Sequence, residues 1–362
     1  MKKKKLRFGL IGCGRIAQRH AELLASGQIK NSKLVAVCDL DTTKAAIISE
    51  KFSTPYYSSM SEMFAEHELD VVSVLTESGN HAEDVLEASS HNVNVIVEKP
   101  IALKVNDAIK MNNAFKGKPA RLFVVKQNRF NKPVVHLKQL IDNGLMGKML
   151  LGTARVRWSR DQNYYDQAPW RGTWSMDGGV LANQASHHID LLQWLLGDIQ
   201  SVYAKSATFL AKIEAEDTLV AVLKFKNGAL GTFEASTAVR PNDLEGSISV
   251  MGSMGSAEVA GFAANELRHL HVMDAGGLEG ADLADYSTNP PNVYGFGHKL
   301  FYEHVVDCLL SNKSSMLEGA EGIKSLKIIN AIYESIEKST EIILDETNFE
   351  SRLGLDSGIR SG

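Results

Sequence analysis

The stretch LRFGLIGCGRIAQRHAELLAS, residues 6–26, decides the fold of the N-terminal part of the chain. Its first residues are apolar strand formers, and helical periodicity begins at about residue 14. Between them Gly12-Cys13-Gly14-Arg15-Ile16-Ala17 fits GxGxxA. Glycine lets the backbone turn sharply, and the missing side chains let a pyrophosphate reach the helix N-terminus, where unpaired amides and the helix dipole favour an anion. Gly12, Gly14, Arg15 and Ile16 are therefore candidate dinucleotide contacts.

The surrounding pattern strengthens that short motif. LVAVCD (34–39) is a second apolar run, and Asp39 ends it about where an acidic group receives the hydroxyls of an adenosine ribose. Asp41 and the lack of a neighbouring arginine favour NAD over NADP. The alternative for Asp39 is a cap for the helix that follows. Alternation continues through DVVSVLT (70–76), a helix from about His81, NVIVEKP (94–100), a helix from Val105 and RLFVVKQNRF (121–130). Strands alternating with helices predict a doubly wound parallel sheet, which binds ligands beyond the carboxyl ends of its strands. Thr76, Ser78, Asn80 and His81 follow one such end, and Glu98 and Lys99 another. Lys99 closes an apolar strand and precedes Pro100, which restricts its backbone. Its ammonium suits an alkoxide, or serves as a base if desolvated; the alternative is a surface lysine paired with Glu98.

After a helix from about Pro133 to Asn143-Gly144 the character changes. LGTARVRW, SVYAKSATF, TLVAVLKF, ALGTFEAS, SISVMG, AEVAG and LRHLHVM are strand-like runs with few helices between them, and Lys226-Asn227-Gly228 marks a hairpin. A large, mainly antiparallel sheet follows, one face of which another subunit could cover. Helices near 298–312 and 317–338 close the pattern, and RLGLDSGIRSG (352–362) reads as a loose tail. The division expected is 1–125, 126–345 and a tail 346–362.

Within GGVLANQASHHIDLLQW (178–194), helical phase groups Asn183, His187, Asp190 and Trp194 within roughly 60° and turns His188 about 100° away, among leucines. The adjacent histidines therefore do not share one site. Asp190 is expected to fix the tautomer of His187, whose imidazole is suited to take an alcohol proton; the alternative is a histidine merely satisfied by Asp190. RVRWSRDQNYYDQAPWRGTW (155–174) brings Arg155, Arg157, Arg160 and Arg171 together with Trp158, Tyr164, Tyr165, Trp170 and Trp174. Aromatic faces stack on sugars or bases and arginine forks suit carboxylate or phosphate, so an anionic, ring-containing substrate is expected, with about half of these residues structural.

Composition sets the outer limits. The 362 residues are 44% hydrophobic and 23% charged with a formal charge of −4, which suggests no electrostatic grip on nucleic acid. Lys2 to Lys5 read as a solvated N-terminus without a cleavage-site pattern, and no apolar run is long enough to cross a bilayer. Cys13, Cys38 and Cys308 are far apart, favouring a reduced cytoplasmic setting. Neither HExxH nor a His/Cys cluster appears, so no metal is expected.

Together GCGRIA, VAVCD, VEKP, KQNRFN and GGVLANQASHHID resemble the Gfo/Idh/MocA family of nicotinamide-dependent sugar oxidoreductases over nearly the whole chain. The resemblance implies a Rossmann domain, an open-faced α/β domain, NAD as cofactor and a homotetramer. It makes Lys99 and His187 the catalytic pair, adds Gln127, Trp170 and Arg171 to the cofactor contacts, and places Lys99, Arg129, Arg160, Tyr164, Tyr165, Arg171, Asn183 and His187 at the substrate. The family often carries aspartate where this chain has Asn183. RWSRDQNYYDQAPWRGTW, ANQASHHIDLLQW and NPPNVYGFGH resemble the subgroup that oxidises the sugar 3-hydroxyl of UDP-N-acetylglucosaminuronic acid. Other sugars or inositols, and a non-catalytic nicotinamide sensor, are the alternatives.

Overall fold

A computed structural model describes residues 5–273, 283–287, 295–344 and 348–356. Lys2 to Lys4, residues 288–294 of the NPPNVYGFGH region and the last six residues lie outside the described residues. The chain divides into two compact units, residues 1–126 with 298–323, and residues 127–297 with 324–362.

The first unit contains β1 (Leu6–Ile11), α1 (Arg15–Ala25), β2 (Ser32–Cys38), α2 (Thr42–Phe52), β3 (Tyr56–Tyr57), α3 (Met60–Glu66), β4 (Val71–Val74), α4 (His81–Ser90), β5 (Asn94–Val97), α5 (Val105–Ala114) and β6 (Leu122–Val124). All its strands are parallel, in the order β3-β2-β1-β4-β5-β6. This is the doubly wound dinucleotide order, in which connections leave β1 in opposite directions and open a crevice between β1 and β4. The strands read as continuous Val, Ile and Leu because helices cover both faces, and all four residues of β4 are buried.

The second unit begins with a 3-10 turn at Gln127–Phe130. It continues through α6 (Lys132–Asp142), β7 (Met149–Arg157), α7 (Gln162–Asp166), α8 (Ser186–Leu196), β8 (Ile199–Ala207), β9 (Thr218–Phe225), β10 (Leu230–Ser236), β11 (Glu245–Gly252), β12 (Gly255–Ala260) and β13 (Glu266–Val272). The eight-stranded sheet runs β13-β12-β11-β7-β10-β9-β8-β14, where β14 is Ile342–Ile343. Only β7 and β10 pair in parallel; every other neighbour is antiparallel. The central strands β9 and β10 alternate: in β9, Leu219, Ala221, Leu223 and Phe225 are buried and Val220, Val222 and Lys224 exposed. α8 packs on the buried face against β7 and β11.

Two expectations are corrected. α9 (Gly297–Ser311) from its second residue on, and the first residues of α10 (Gly319–Lys338), belong to the first unit, so its boundary is not one cut near 125. The chain returns because the sheet needs cover: Tyr302 meets Phe8 edge-on at 5.8 Å, and the Val124 amide donates to Leu317. The described part of the tail is anchored rather than loose. Leu353 is buried, the Ser351 hydroxyl donates to Asn330 (2.8 Å), and Arg352 stacks on Trp174 (4.6 Å).

Candidate active site

In the first unit, Gly12 adopts φ +88°, and a β-carbon there would stand 2.8 Å from the Leu75 carbonyl carbon and the Thr76 amide. Only glycine brings the loop this close to the end of β4. At Gly14, which caps α1, a β-carbon would meet nothing within 4 Å. The amides of α1 thus face an open approach, which fits a pyrophosphate. Asp39 does not cap α2. That cap is Asp41, which accepts from the Thr43 amide (3.1 Å), whereas Asp39 accepts from the Cys13 amide (2.6 Å) and so ties the end of β2 to the glycine loop. Arg15 is exposed, and Ile16, Ser78 and Asn80 are half-buried. The Thr76 hydroxyl donates to Asp84, whose carboxyl burial pushes up to about 6.

His81 is corrected to an internal strut: its buried ring lies between the carbonyls of Pro100 (2.8 Å) and Thr76 (3.1 Å). Glu98 is likewise turned inward. One carboxylate oxygen meets His20 Nε2 at 3.0 Å and His298 Nε2 at 3.8 Å, and the other accepts from the Lys99 amide at 3.0 Å. His20 Nδ1 reaches the Tyr302 hydroxyl (2.6 Å), which also meets Ser73 (3.0 Å). Burial pushes the Glu98 carboxyl up, but hydrogen bonds from His20 and His298 outweigh it and hold it well below the carboxylate range. This network, assembled from residues up to 282 positions apart, orients the backbone that bears half-buried Lys99. The ligand atoms of His20, Glu98 and His298 lie within 4.8 Å of one another, a cluster no local spacing could reveal.

In the second unit, α8 begins only at Ser186, so Asn183 precedes the helix and is not on its polar stripe. Its amide donates to Asp177 (2.6 Å), and Asp177 also accepts from the Gly172 amide (2.9 Å). His187 is half-buried, and its Nε2 lies 3.0 Å from the side-chain nitrogen of Gln127. Asp190 has a strong partner of its own besides the role expected of it. Both its carboxylate oxygens accept from Arg129, at 2.8 Å each, in a buried bidentate pair backed by Trp194 5.1 Å from the guanidinium. Arg129, 1% exposed, is therefore structural rather than a substrate ligand. His188 is buried against Trp158 and Gly246, and burial pushes its pKa down to about 4. The pair is divided as helical phase predicts.

The arginine-rich stretch splits as well. Arg155 and Arg157 lie on the open face of the sheet and pair with Glu234, Glu245 and Glu258, which removes them from the anion-binding set. Tyr165 is corrected to a core residue, with its hydroxyl on Thr237 (3.0 Å). Arg160 pairs with Asp243 (2.9 Å) and lies over Trp158 and Tyr164. Arg171 lies over Tyr164 at 4.2 Å and Trp170 at 5.3 Å, and its buried Nε has no partner among the described residues. The side chain as a whole is half-buried rather than enclosed, so it remains a candidate cation for an anion.

Glu216 escaped sequence reading because nothing in its pattern signals burial. Its Oε1 accepts from the Leu181 amide and the Tyr333 hydroxyl, both at 3.0 Å, and its Oε2 has no partner among the described residues. Gly179 is pressed so closely on Glu216 that a β-carbon would collide with its carbonyl. Burial pushes the carboxyl from 4.5 to about 7. The folded state prefers the neutral acid, so its stabilising contribution is complete below pH 4.5 and is lost as pH rises through about 7. Glu216→Gln is expected to abolish that loss, worth up to about 3 kcal/mol. Melting temperatures of both proteins from pH 5 to 8 check this; parallel curves would refute it.

Comparison with known proteins agrees with this fold. Residues 6–126 match the model of an oxidoreductase family with an NAD-binding Rossmann fold, and residues 134–258 match the GFO/IDH/MocA C-terminal domain. The chain belongs to the Gfo/Idh/MocA family, NAD-dependent oxidoreductases with relatives acting on sugar and inositol hydroxyls. It is similar to the WlbA dehydrogenase of Chromobacterium violaceum, solved with NADH and UDP-GlcNAcA, at 36% identity over 95% of this chain and 97% of that one, with TM-score 0.88. The Bordetella pertussis WlbA dehydrogenase, solved with the same two molecules, is also 36% identical, covering 95% and 100%, with TM-score 0.85. A myo-inositol 2-dehydrogenase of Thermotoga maritima is 30% identical over 69% of this chain and 74% of its own.

Proposed function

We propose that the chain oxidises the sugar 3-hydroxyl of UDP-N-acetylglucosaminuronic acid, a step in making bacterial surface-polysaccharide precursors. The observation that carries this reading is the 36% identity, over 95% of the chain, to two enzymes solved with that nucleotide sugar. Arg171, stacked on Tyr164 with an orphan Nε, is the cation for the sugar carboxylate or diphosphate. Bound NAD, held by the Gly12–Ile16 loop and Asp39, supplies the hydride acceptor. His187 takes the proton of the 3-hydroxyl, and the Lys99 ammonium holds the oxygen and stabilises its developing charge. Asn183 meets substrate hydroxyls without titrating.

The assembly is a cytoplasmic homotetramer built on the open sheet face, where Tyr203, Val220, Val222 and Leu230 are all at least 40% exposed. Nothing in the charge points to nucleic acid. No helix among the described residues is long and apolar enough to cross a membrane.

The test is turnover by the purified protein with NAD, an external oxidant and a panel holding UDP-N-acetylglucosaminuronate, myo-inositol and free hexoses, alongside its mass in solution. A 3-keto nucleotide sugar and a tetramer's mass are expected. Turnover of an uncharged polyol alone would replace the substrate assignment, and a monomer would remove the tetramer.

A further inference from the structure

We propose that Gln127 is a positioning residue whose side-chain amide decides which nitrogen of His187 carries the proton. The inference rests on the reading of His187 as proton acceptor, and its first observation is the 3.0 Å contact between the Gln127 amide nitrogen and His187 Nε2. Gln127 is only 5% exposed, and its side-chain carbonyl is buried with no partner among the described residues.

An amide offers a donor on one side and an acceptor on the other, so this contact has two arrangements. With the NH₂ group inward it donates to the lone pair of Nε2, and the neutral ring carries its proton on Nδ1. With the carbonyl inward it accepts from an Nε2–H, which exists in the other neutral tautomer and in the imidazolium. The buried carbonyl is costly while it stands unpaired, and a half-turn of the amide pairs it with Nε2–H, which leaves the Nδ1 lone pair to take the hydroxyl proton. Gln127 therefore carries the acceptor that His187 needs once it has taken a proton. A methylene chain of the same length would satisfy neither state.

The spacing between the two groups is built in. Gln127 opens the 3-10 turn Gln127–Phe130, and the Arg129–Asp190 fork in that turn clamps it to α8, one helical turn beyond His187. On the other side the backbone of Gly297 closes on the Gln127 carbonyl, where a β-carbon would collide. The amide can rotate, but its backbone is held.

The experiment uses full-length protein with bound NAD and ¹⁵N-labelled histidine, the His187 signals being identified by their loss in His187→Asn. In the unsubstituted protein one neutral tautomer is expected. Gln127→Met is expected to give a mixture of tautomers and to lower kcat about tenfold or more with little change in KM. Gln127→Glu, a fixed acceptor, is expected to hold the proton on Nε2 and raise the ring pKa by about one unit or more. His187 signals unchanged in both folded variants would overturn the proposal. Altered signals with undiminished kcat would uphold the hold of Gln127 on the ring and overturn the catalytic reading of His187. Thermal melts of both variants identify a folding defect, and the two substitutions act in opposite senses on the ring, which a common loss of structure would not produce.

Discussion

Replacing Lys99 by alanine is expected to lower kcat by about 10²- to 10⁴-fold while NAD binding is retained, and His187→Asn should act with similar size. Lys99 follows β5, on a backbone whose amide is fixed by Glu98, and Glu98 is itself gripped by His20 and His298. Its removal takes away a cation, leaving the glycine loop and Asp39 untouched. His187 sits at the start of α8, where Gln127 holds one ring nitrogen. Single-turnover absorbance of the reduced cofactor reads the chemical step, and calorimetric titration with NAD reads binding. Activity within tenfold of the parent in either variant would strip that residue of its role. Added methylamine separates two functions of Lys99, because a restored charge rescues the alanine variant in proportion to the protonated amine if the ammonium stabilises the oxygen.

Asp190→Ala is expected to cost about 3–5 kcal/mol of stability. The Arg129 and Asp190 side chains are 2% and 4% exposed, and both oxygens of the acid are used by the guanidinium. Removing the acid leaves a buried cation without its bidentate carboxylate, whereas removing both charges together costs much less. Urea unfolding of Asp190→Ala and of the pair Arg129→Met with Asp190→Leu measures the difference. A loss below about 1 kcal/mol in the single variant would show that the fork is not the buried ion pair described here. The effect should appear in stability, with no selective rise in substrate KM, because Arg129 is enclosed in the protein.

Much of the candidate site was legible in the chain because its signals are local. GCGRIA follows a strand and opens a helix within a few residues, and Asp39 ends the next strand, so turn chemistry and periodicity suffice to place them. The separation of His187 from His188 needed only helical phase. Arg155 and Arg157 could not be sorted from Arg171 this way: in one dimension all are arginines beside aromatics, and only the register of β7 against β10 and β11 puts the first two among glutamates.

The amino-acid sequence by itself determined the parallel nucleotide-binding sheet, the antiparallel sheet after it, the family and the candidate pair Lys99 and His187, since each rests on short-range pattern. Tertiary structure alone decided the partners of those residues. Glu98 lies between His20 and His298, Arg129 belongs to Asp190, Glu216 is buried under Gly179, and Gln127 reaches His187. The reason is physical. A hydrogen bond or buried ion pair depends on distances of about 3 Å between groups 35 to 282 residues apart, and on burial that sets their charge. Neither quantity has a period along the chain.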